Sequence, residues 1–414
     1  MRYKTLFLLI LGLGLSFLLS GADWPNWKGP NRDNISPETG LLEEWPDEGP
    51  KVLQISSGLG EGYSNLCIYG NRIFTLGDFA DITCLVALDR ESGKVLGKAQ
   101  IAPGGAIGGH IGPKSTPSTD GENVYGLTQR GILFCADFEF GKIKWTKDLV
   151  NDFGGGMMNP RMNWGFAESV LLDGEKVVCT PGGKKGSVIA FNKKTGKLIW
   201  RSTQIKDDAT YASITPVEIE GKRQYLVMMS DHIAGIDPEN GKVLWKVAFP
   251  GRVAACTDPV YANGSLFATC AYGVGGFGYQ IATRRGKTIF EENYTMKKVD
   301  NKHHGLICLD GKVYSTSSSG ALYCFDIATG KILWENRRFR SVSAISYADG
   351  KLYLRGESSG EIVLVEANPE KYIEKGRFTQ QDRSDKNAWT YPIILDGRMY
   401  VRDQDKLFQY DLKK

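Results

Sequence analysis

The sequence lacks most of the signatures that catalysis, redox chemistry or nucleic-acid binding would leave. Its 414 residues contain only four histidines, no HExxH metalloprotease motif and no phosphate-binding P-loop. The eight cysteines include no CxxC pair and no two adjacent residues, so zinc and redox motifs find no support. The 51 basic and 47 acidic residues nearly cancel and form no basic cluster, so we expect no nucleic-acid partner.

One long apolar stretch stands at the start of the chain. Arg2 and Lys4 precede the apolar residues 6–19, and the small residues 20–22 are typical of a cleavage site before Asp23. We therefore expect residues 1–22 to be a signal peptide and the mature protein to be exported to the periplasm or beyond. No cysteine follows the cleavage site, so a lipid anchor is not predicted. The alternative is an uncleaved anchor, for which the apolar run is short.

Helical periodicity is nearly absent, whereas glycine is abundant. The 50 glycines make up about 12 per cent of the chain, against about 7 per cent in average proteins. Short alternating strands fill the intervals between them, which favours an all-β, turn-dense chain over disorder. Most cysteines fall inside these strands, so we expect them to be largely unpaired core residues.

Four segments repeat one eleven-residue pattern, with a small residue first, Asp or Asn third, Gly seventh and Trp eleventh. The third residue can accept backbone hydrogen bonds and the glycine supplies positive φ, so each segment predicts a strand, a tight turn and a strand. The indoles are expected on the outermost strand, docked on the neighbouring repeat. The turn glycines are Gly141, Gly196, Gly241 and Gly330, and the docking residues are Trp145, Trp200, Trp245 and Trp334.

A second signal, a glycine-centred turn followed by a short β-rich run, recurs eight times at intervals of about 40 to 53 residues, the period of four-stranded propeller blades. The sequence therefore predicts an eight-bladed β-propeller over residues 50–414, preceded by an extended segment at 23–49. The last repeat lacks its fourth strand, and residues 50–56 are expected to supply it and close the ring. We expect a monomer.

The long connections between strands all fall on one rim of this ring, here called the loop-bearing rim, and the tight turns fall on the other, the turn rim. Binding is expected on the loop-bearing rim. Aromatic rings and an arginine around a central funnel could hold a flat or anionic ligand, or part of an envelope protein. The alternative is that these side chains are solvated or plug the channel. The predicted funnel residues are Tyr63, Arg161, Asn163, Trp164, Tyr211, His304 and Trp389.

No metal site is predicted. His303 and His304 are adjacent but have no partner at ligand spacing, and the other two histidines, His110 and His232, fall in other blades. The carboxylates Glu61, Glu168 and Asp258 lie near innermost strands and would bind calcium only if two or three of them converge.

The eleven-residue pattern resembles the tryptophan-docking repeat of the pyrroloquinoline quinone (PQQ) repeat family, whose members form eight-bladed propellers. The resemblance covers roughly residues 50–414, and residues 24–46 are similar to the opening of exported members. Some members are quinoprotein alcohol or sugar dehydrogenases that hold PQQ with calcium on the axis. Others are non-catalytic propellers, including the lipoprotein of the outer-membrane β-barrel assembly machinery.

The chain departs from the dehydrogenases in several respects. It is much shorter, it has neither a vicinal cysteine pair nor a CxxCH haem site, and their calcium ligands cannot be placed on it. We therefore predict a non-catalytic binding or interaction scaffold of the cell envelope, without a cofactor. The alternative is a PQQ-dependent oxidoreductase that binds PQQ and calcium.

Overall fold

The computed structural model describes residues 23–139, 141–158, 164–251, 253–339 and 341–414. The predicted signal peptide lies outside these residues and stays a prediction. The described residues form strands and turns only, and among them there is no helix long and apolar enough to cross a membrane. No disulfide joins the eight cysteines.

The strands are short and follow the predicted repeat. In chain order they are β1 (Val52–Ser56), β2 (Cys67–Tyr69), β3 (Arg72–Phe79), β4 (Ile82–Asp89), β5 (Val95–Pro103), β6 (Ala106–Ile107), β7 (His110–Ile111), β8 (Ser118–Thr119), β9 (Asn123–Leu127), β10 (Ile132–Asp137), β11 (Ile143–Asp148), β12 (Leu171–Asp173), β13 (Lys176–Cys179), β14 (Val188–Asn192), β15 (Leu198–Ser202), β16 (Thr215–Ile219), β17 (Lys222–Met228), β18 (His232–Ile236), β19 (Val243–Ala248), β20 (Val260–Ala262), β21 (Ser265–Cys270), β22 (Gly275–Arg284), β23 (Lys287–Met296), β24 (Leu306–Leu309), β25 (Lys312–Thr316), β26 (Leu322–Asp326), β27 (Ile332–Asn336), β28 (Ser343–Ala348), β29 (Lys351–Gly356), β30 (Glu361–Glu366), β31 (Glu374–Thr379), β32 (Ile393–Leu395), β33 (Arg398–Asp403) and β34 (Lys406–Asp411).

These strands form eight antiparallel four-stranded sheets, which confirms the eight-bladed propeller. Blades one to seven are β2–β5, β8–β11, β12–β15, β16–β19, β20–β23, β24–β27 and β28–β31, and the short β6–β7 hairpin lies between the first two. The eighth blade is β32–β34 with β1 as its outermost strand, so the N-terminal strand closes the ring as predicted. Its register places Val52 opposite Tyr410 and Ser56 opposite Leu407. Without β1, the backbone groups of β34 would be an open edge.

The hydrophobic core lies between neighbouring blades. One cluster joins Ile73 and Val86 of the first blade to Ile393, Tyr400 and Leu407 of the eighth. Because each blade buries its faces mainly against its neighbours, the stability of the molecule depends on the completed circle.

Three of the four repeat tryptophans reach the turn of the following blade. The indole nitrogens of Trp145, Trp200 and Trp334 donate hydrogen bonds to the carbonyls of Lys193 (3.0 Å), Pro238 (3.1 Å) and Asn368 (2.9 Å). These bonds join blade two to three, three to four and six to seven.

Trp245 differs, because its indole nitrogen donates to Gln224 within its own blade (2.8 Å) and its ring packs on Phe290 of the next blade, with centroids 4.4 Å apart. The fifth blade ends in a long hairpin of β22 and β23 and offers no matching turn. In that blade Tyr294 takes over the docking contact, since its hydroxyl donates to the Ile327 carbonyl (2.7 Å) and its ring lies against Gly330.

Two turn glycines separate the contribution of docking from that of backbone strain. Gly241 (φ +71°) lies under Trp200, and an added Cβ would be 2.4 Å from that ring, whereas Gly221 (φ +72°) has no atom within 4 Å. Gly221→Ala should lower the free energy of unfolding by about 1–2 kcal/mol through strain alone. Gly241→Ala should lower the free energy of unfolding by the same strain and by a further ~1–3 kcal/mol, because the added methyl group displaces the indole of Trp200. Equal denaturant midpoints for the two variants would show that the indole contact contributes nothing.

Candidate binding site

The first part of the N-terminal segment (residues 23–49) runs through the centre of the ring, and its last residues pack on β31, the outermost strand of the seventh blade. Trp24 exchanges two backbone hydrogen bonds of 2.8 Å with Ile68 on the innermost strand of the first blade. Further along, Ile35 bridges Tyr347 in parallel fashion on the innermost strand of the seventh blade, and Leu41 bridges Lys413. The segment therefore ascends along one blade toward the loop-bearing rim and descends along another.

The reversal between these two arms is a tight turn. The Gly29 amide donates to the Asn26 carbonyl (3.1 Å) and the Asn34 amide donates to the Lys28 carbonyl (2.9 Å). Lys28, Gly29, Arg32 and Asn34 all have positive φ. A Cβ on Gly29 would be 2.9 Å from the Trp24 ring, so glycine is required there by both space and conformation.

Two buried cations of this turn contact blades on different sides of the channel. The Lys28 ammonium lies 2.7 Å from Asp258, just before the innermost strand of the fifth blade. The Arg32 guanidinium donates to the carbonyls of Ser169 (2.7 Å) and Val170 (3.1 Å), at the start of the third blade. Burial lowers the pKa of Arg32 to about 10, while Asp258 and Glu168 oppose that shift, so Arg32 stays charged at neutral pH.

The axial carboxylates are already occupied by groups of this chain. Asp258 also accepts hydrogen bonds from the Trp27 indole (3.0 Å) and the Ser213 amide (2.7 Å). Glu168 accepts from the Thr180 amide (2.7 Å) and hydroxyl. The residues at the axis thus do not fit calcium with PQQ, because Lys28 takes the position that a cation would need on Asp258.

Above this turn, on the loop-bearing rim, lies a cavity of about 200 Å³, here called the axial pocket. Trp27 of the N-terminal segment belongs to its lining. Of the predicted funnel residues, Tyr63, Trp164, Tyr211 and Trp389 line it. His304 was expected to line the funnel, but it is fully buried. Its ring packs on that of His303, with centroids 3.9 Å apart, and only His303 lines the cavity. Arg161 and Asn163 lie outside the described residues, and ligand binding by this set stays a prediction.

Aromatic rings form two groups in the wall of the axial pocket. Tyr63 and Trp389 are tilted 30° to each other with centroids 4.0 Å apart, and the His110 ring lies 4.8 Å from Trp389. Trp164 lies 6.1 Å from Tyr211 and 6.4 Å from Tyr272, which is half-exposed at the mouth. Such a wall suits a flat apolar group.

The charged groups of the axial pocket favour an anion. Burial lowers the pKa of Lys114 to about 8, so this lysine is still largely protonated at neutral pH. Lys302 adds a second ammonium, 3.4 Å from Glu357. Burial alone would raise the pKa of Glu357, but His303, the Trp389 indole and Lys302 bring it to about 2, so it is a carboxylate.

Sequence reasoning missed Trp27, Lys114, Lys302 and Glu357. Lys114 and Lys302 lie in long loops on the loop-bearing rim, so the charged residues of those loops were a signal that could have identified them. Trp27 and Glu357 carried no positional signal, because the N-terminal segment has no repeat and Glu357 sits in a short turn between β29 and β30.

Comparison with known proteins identifies relatives of the same architecture. The family model described as outer membrane protein assembly factor BamB matches residues 83–336. BamB of Yersinia pestis is 21% identical over 303 residues, which cover 70% of this chain and 71% of the relative.

Solved structures agree in fold. BamB from Moraxella catarrhalis superposes with a TM-score of 0.60 at 15% identity, covering 88% of this chain and 98% of that one. The quinohemoprotein alcohol dehydrogenase ADHIIG from Pseudomonas putida HK5 superposes with a TM-score of 0.54 at 11% identity, covering 94% and 80%. At these identities the structures show a shared fold and no shared activity.

The Lys28 to Asp258 contact should stabilise the molecule strongly, because both side chains are buried. Lys28→Met leaves Asp258 without its cation and should lower the free energy of unfolding by about 3 kcal/mol. The matched control is Lys375→Met, since Lys375 pairs with an exposed glutamate, Glu44, and should keep the wild-type midpoint. Denaturant titration distinguishes the two, and equal midpoints would contradict a structural role for the axial ion pair.

Glu168 should make stability depend on pH. Burial raises its pKa from 4.5 to about 7 in the folded protein. Between these values the folded state holds a proton on Glu168 that the unfolded state has lost, so the contribution of Glu168 to stability falls by about 3 kcal/mol as pH rises from 4.5 to 7. The buried His303 and His304, whose pKa values are lowered, contribute in the opposite direction. The pH dependence of the free energy of unfolding of Glu168→Gln should therefore differ from that of the wild type by about this amount, whereas Glu239→Gln, at an exposed site, should match the wild type. A wild-type slope in Glu168→Gln would contradict the assignment.

Proposed function

This chain belongs to the family described as outer membrane protein assembly factor BamB, and from that membership we propose that it is a non-catalytic scaffold of the cell envelope. It acts in the periplasm as a monomer and binds a segment of another envelope protein in the axial pocket. Tyr63, Trp164, Tyr211 and Trp389 provide the apolar contacts for that segment.

The observation that carries this proposal is the filled axis. The quinoprotein dehydrogenases that this chain resembles hold PQQ and calcium on the axis of the propeller. In this ring Lys28 and Arg32 occupy the axis. A rigid ring with a closed axis and open loops on one rim is suited to binding rather than to redox chemistry.

The size of the axial pocket also favours a protein partner. Its volume of about 200 Å³ is below the ~300–1,000 Å³ typical of small-molecule sites, and it suits one or two large side chains. Lys114 and Lys302 would attract a carboxylate next to an aromatic or aliphatic anchor. An acidic segment with one apolar anchor is therefore the preferred ligand.

Site-specific photo-crosslinking in envelope extract tests this proposal. A crosslinking residue at the half-exposed Tyr272, at the pocket mouth, should capture one defined envelope protein. Adding Trp164→Ala to the same chain should reduce the yield of crosslinked product at least fivefold, because the neighbouring aromatic wall is lost. An excess of this protein without the crosslinking residue should compete for the partner.

The matched control places the crosslinker at Lys222, an exposed position on the turn rim, where no product is expected. Equal capture at both rims, or a yield unaffected by Trp164→Ala, would overturn the assignment to the axial pocket. Co-elution of quinone absorbance after addition of PQQ and calcium would instead support the dehydrogenase alternative.

A further inference from the structure

Two histidines and a glutamate from different blades meet beside the axial pocket. His303 and His304 lie in the connection between the fifth and sixth blades, and Glu357 lies in the β29–β30 turn of the seventh. One ligand atom from each residue lies within 4.8 Å of the other two. The completed ring brings these three side chains together.

The imidazoles of this cluster are incompletely bonded. Both Nε2 atoms are buried without a hydrogen-bond partner. His303 Nε2 lies 3.4 Å from a Glu357 carboxylate oxygen, a distance within ion-pair range but without hydrogen-bond geometry. His304 is completely buried, and a buried polar atom left unpaired is costly. A metal ion bound through Nε2 of each ring would satisfy both nitrogens at once.

The side chains offer the atoms that zinc prefers. His303 and His304 contribute imidazole nitrogens and Glu357 contributes a carboxylate oxygen. The Trp389 indole donates a 2.7 Å hydrogen bond to Glu357 Oε1 and so orients the carboxylate. Neutral imidazole and carboxylate ligands, oriented by an outer hydrogen-bond donor, form the donor set of an open zinc site.

We propose that His303, His304 and Glu357 bind one Zn²⁺ ion in the wall of the axial pocket, with a fourth position open toward the cavity. The open position takes water or an anionic group of a bound ligand. This proposal does not depend on the scaffold function.

Metal binding requires modest adjustment. Zinc bonds of about 2.1 Å in a tetrahedron hold ligand atoms about 3.4 Å apart, so the widest pair must approach by about 1.4 Å. The ring proton of His304 must move to Nδ1, which gives up the long 3.3 Å hydrogen bond from the His303 amide. Lys302, which is partly exposed, must turn from Glu357 toward solvent.

Zinc titration of the whole purified protein against a chromophoric chelator tests the site. One ion per chain is expected, and His303→Ala and Glu357→Gln should each weaken binding at least tenfold. The matched control is His232→Ala, which removes a histidine bonded to Asp207 (2.8 Å) outside the axial pocket and should bind as the wild type does.

Cobalt provides a readout that does not depend on variants. Co²⁺ added to the wild type should give the visible absorption of a four-coordinate site, and zinc should abolish it. The proposal is overturned if no stoichiometric binding occurs at micromolar zinc, if Glu357→Gln binds as tightly as the wild type, or if the cobalt spectrum is that of the hexaaquo ion.

Discussion

Ring closure by β1 is the constraint on which the rest of this structure depends. β1 is the first strand of the ring and pairs with β34, the last one. It directly follows the N-terminal segment, part of which fills the channel. Closing the circle and filling its centre are therefore coupled, because the same short connection leads from Leu41 to Val52. A propeller closed in this way has neither an open edge nor an empty axis.

The filled axis determines the character of the candidate site. Trp27 in the pocket lining is held by Asp258, and Asp258 is held by Lys28 and the Ser213 amide. The lining thus rests on buried charge and hydrogen bonds from several blades, so the pocket is pre-organised. Such rigidity reduces the entropy lost on binding.

The fold could be predicted because each blade repeats local signals. Turn glycines such as Gly196 and Gly241 and their docking indoles are encoded within eleven residues. The path of the N-terminal segment could not be predicted, because bonds such as that from Arg32 to the Ser169 carbonyl span more than a hundred residues. Trp245 departed from the pattern because the following blade lacks the turn that its counterparts contact.

The candidate site was predictable in part for the same reason. Trp164 and Trp389 precede innermost strands, so their position in the repeat places them at the centre of the ring. Glu357 meets His303 only across two blades, and no spacing in the sequence relates them. Proximity that depends on the completed circle has no local signature.

Closure by the first strand also affects the order of events during synthesis. A ribosome produces β1 before every other strand of the ring, yet its partner β34 is the last of these strands to emerge. For that whole interval the backbone groups of β1 remain without their strand partner. Such late pairing of distant segments slows maturation and prolongs exposure to aggregation, so a holding chaperone would benefit this chain.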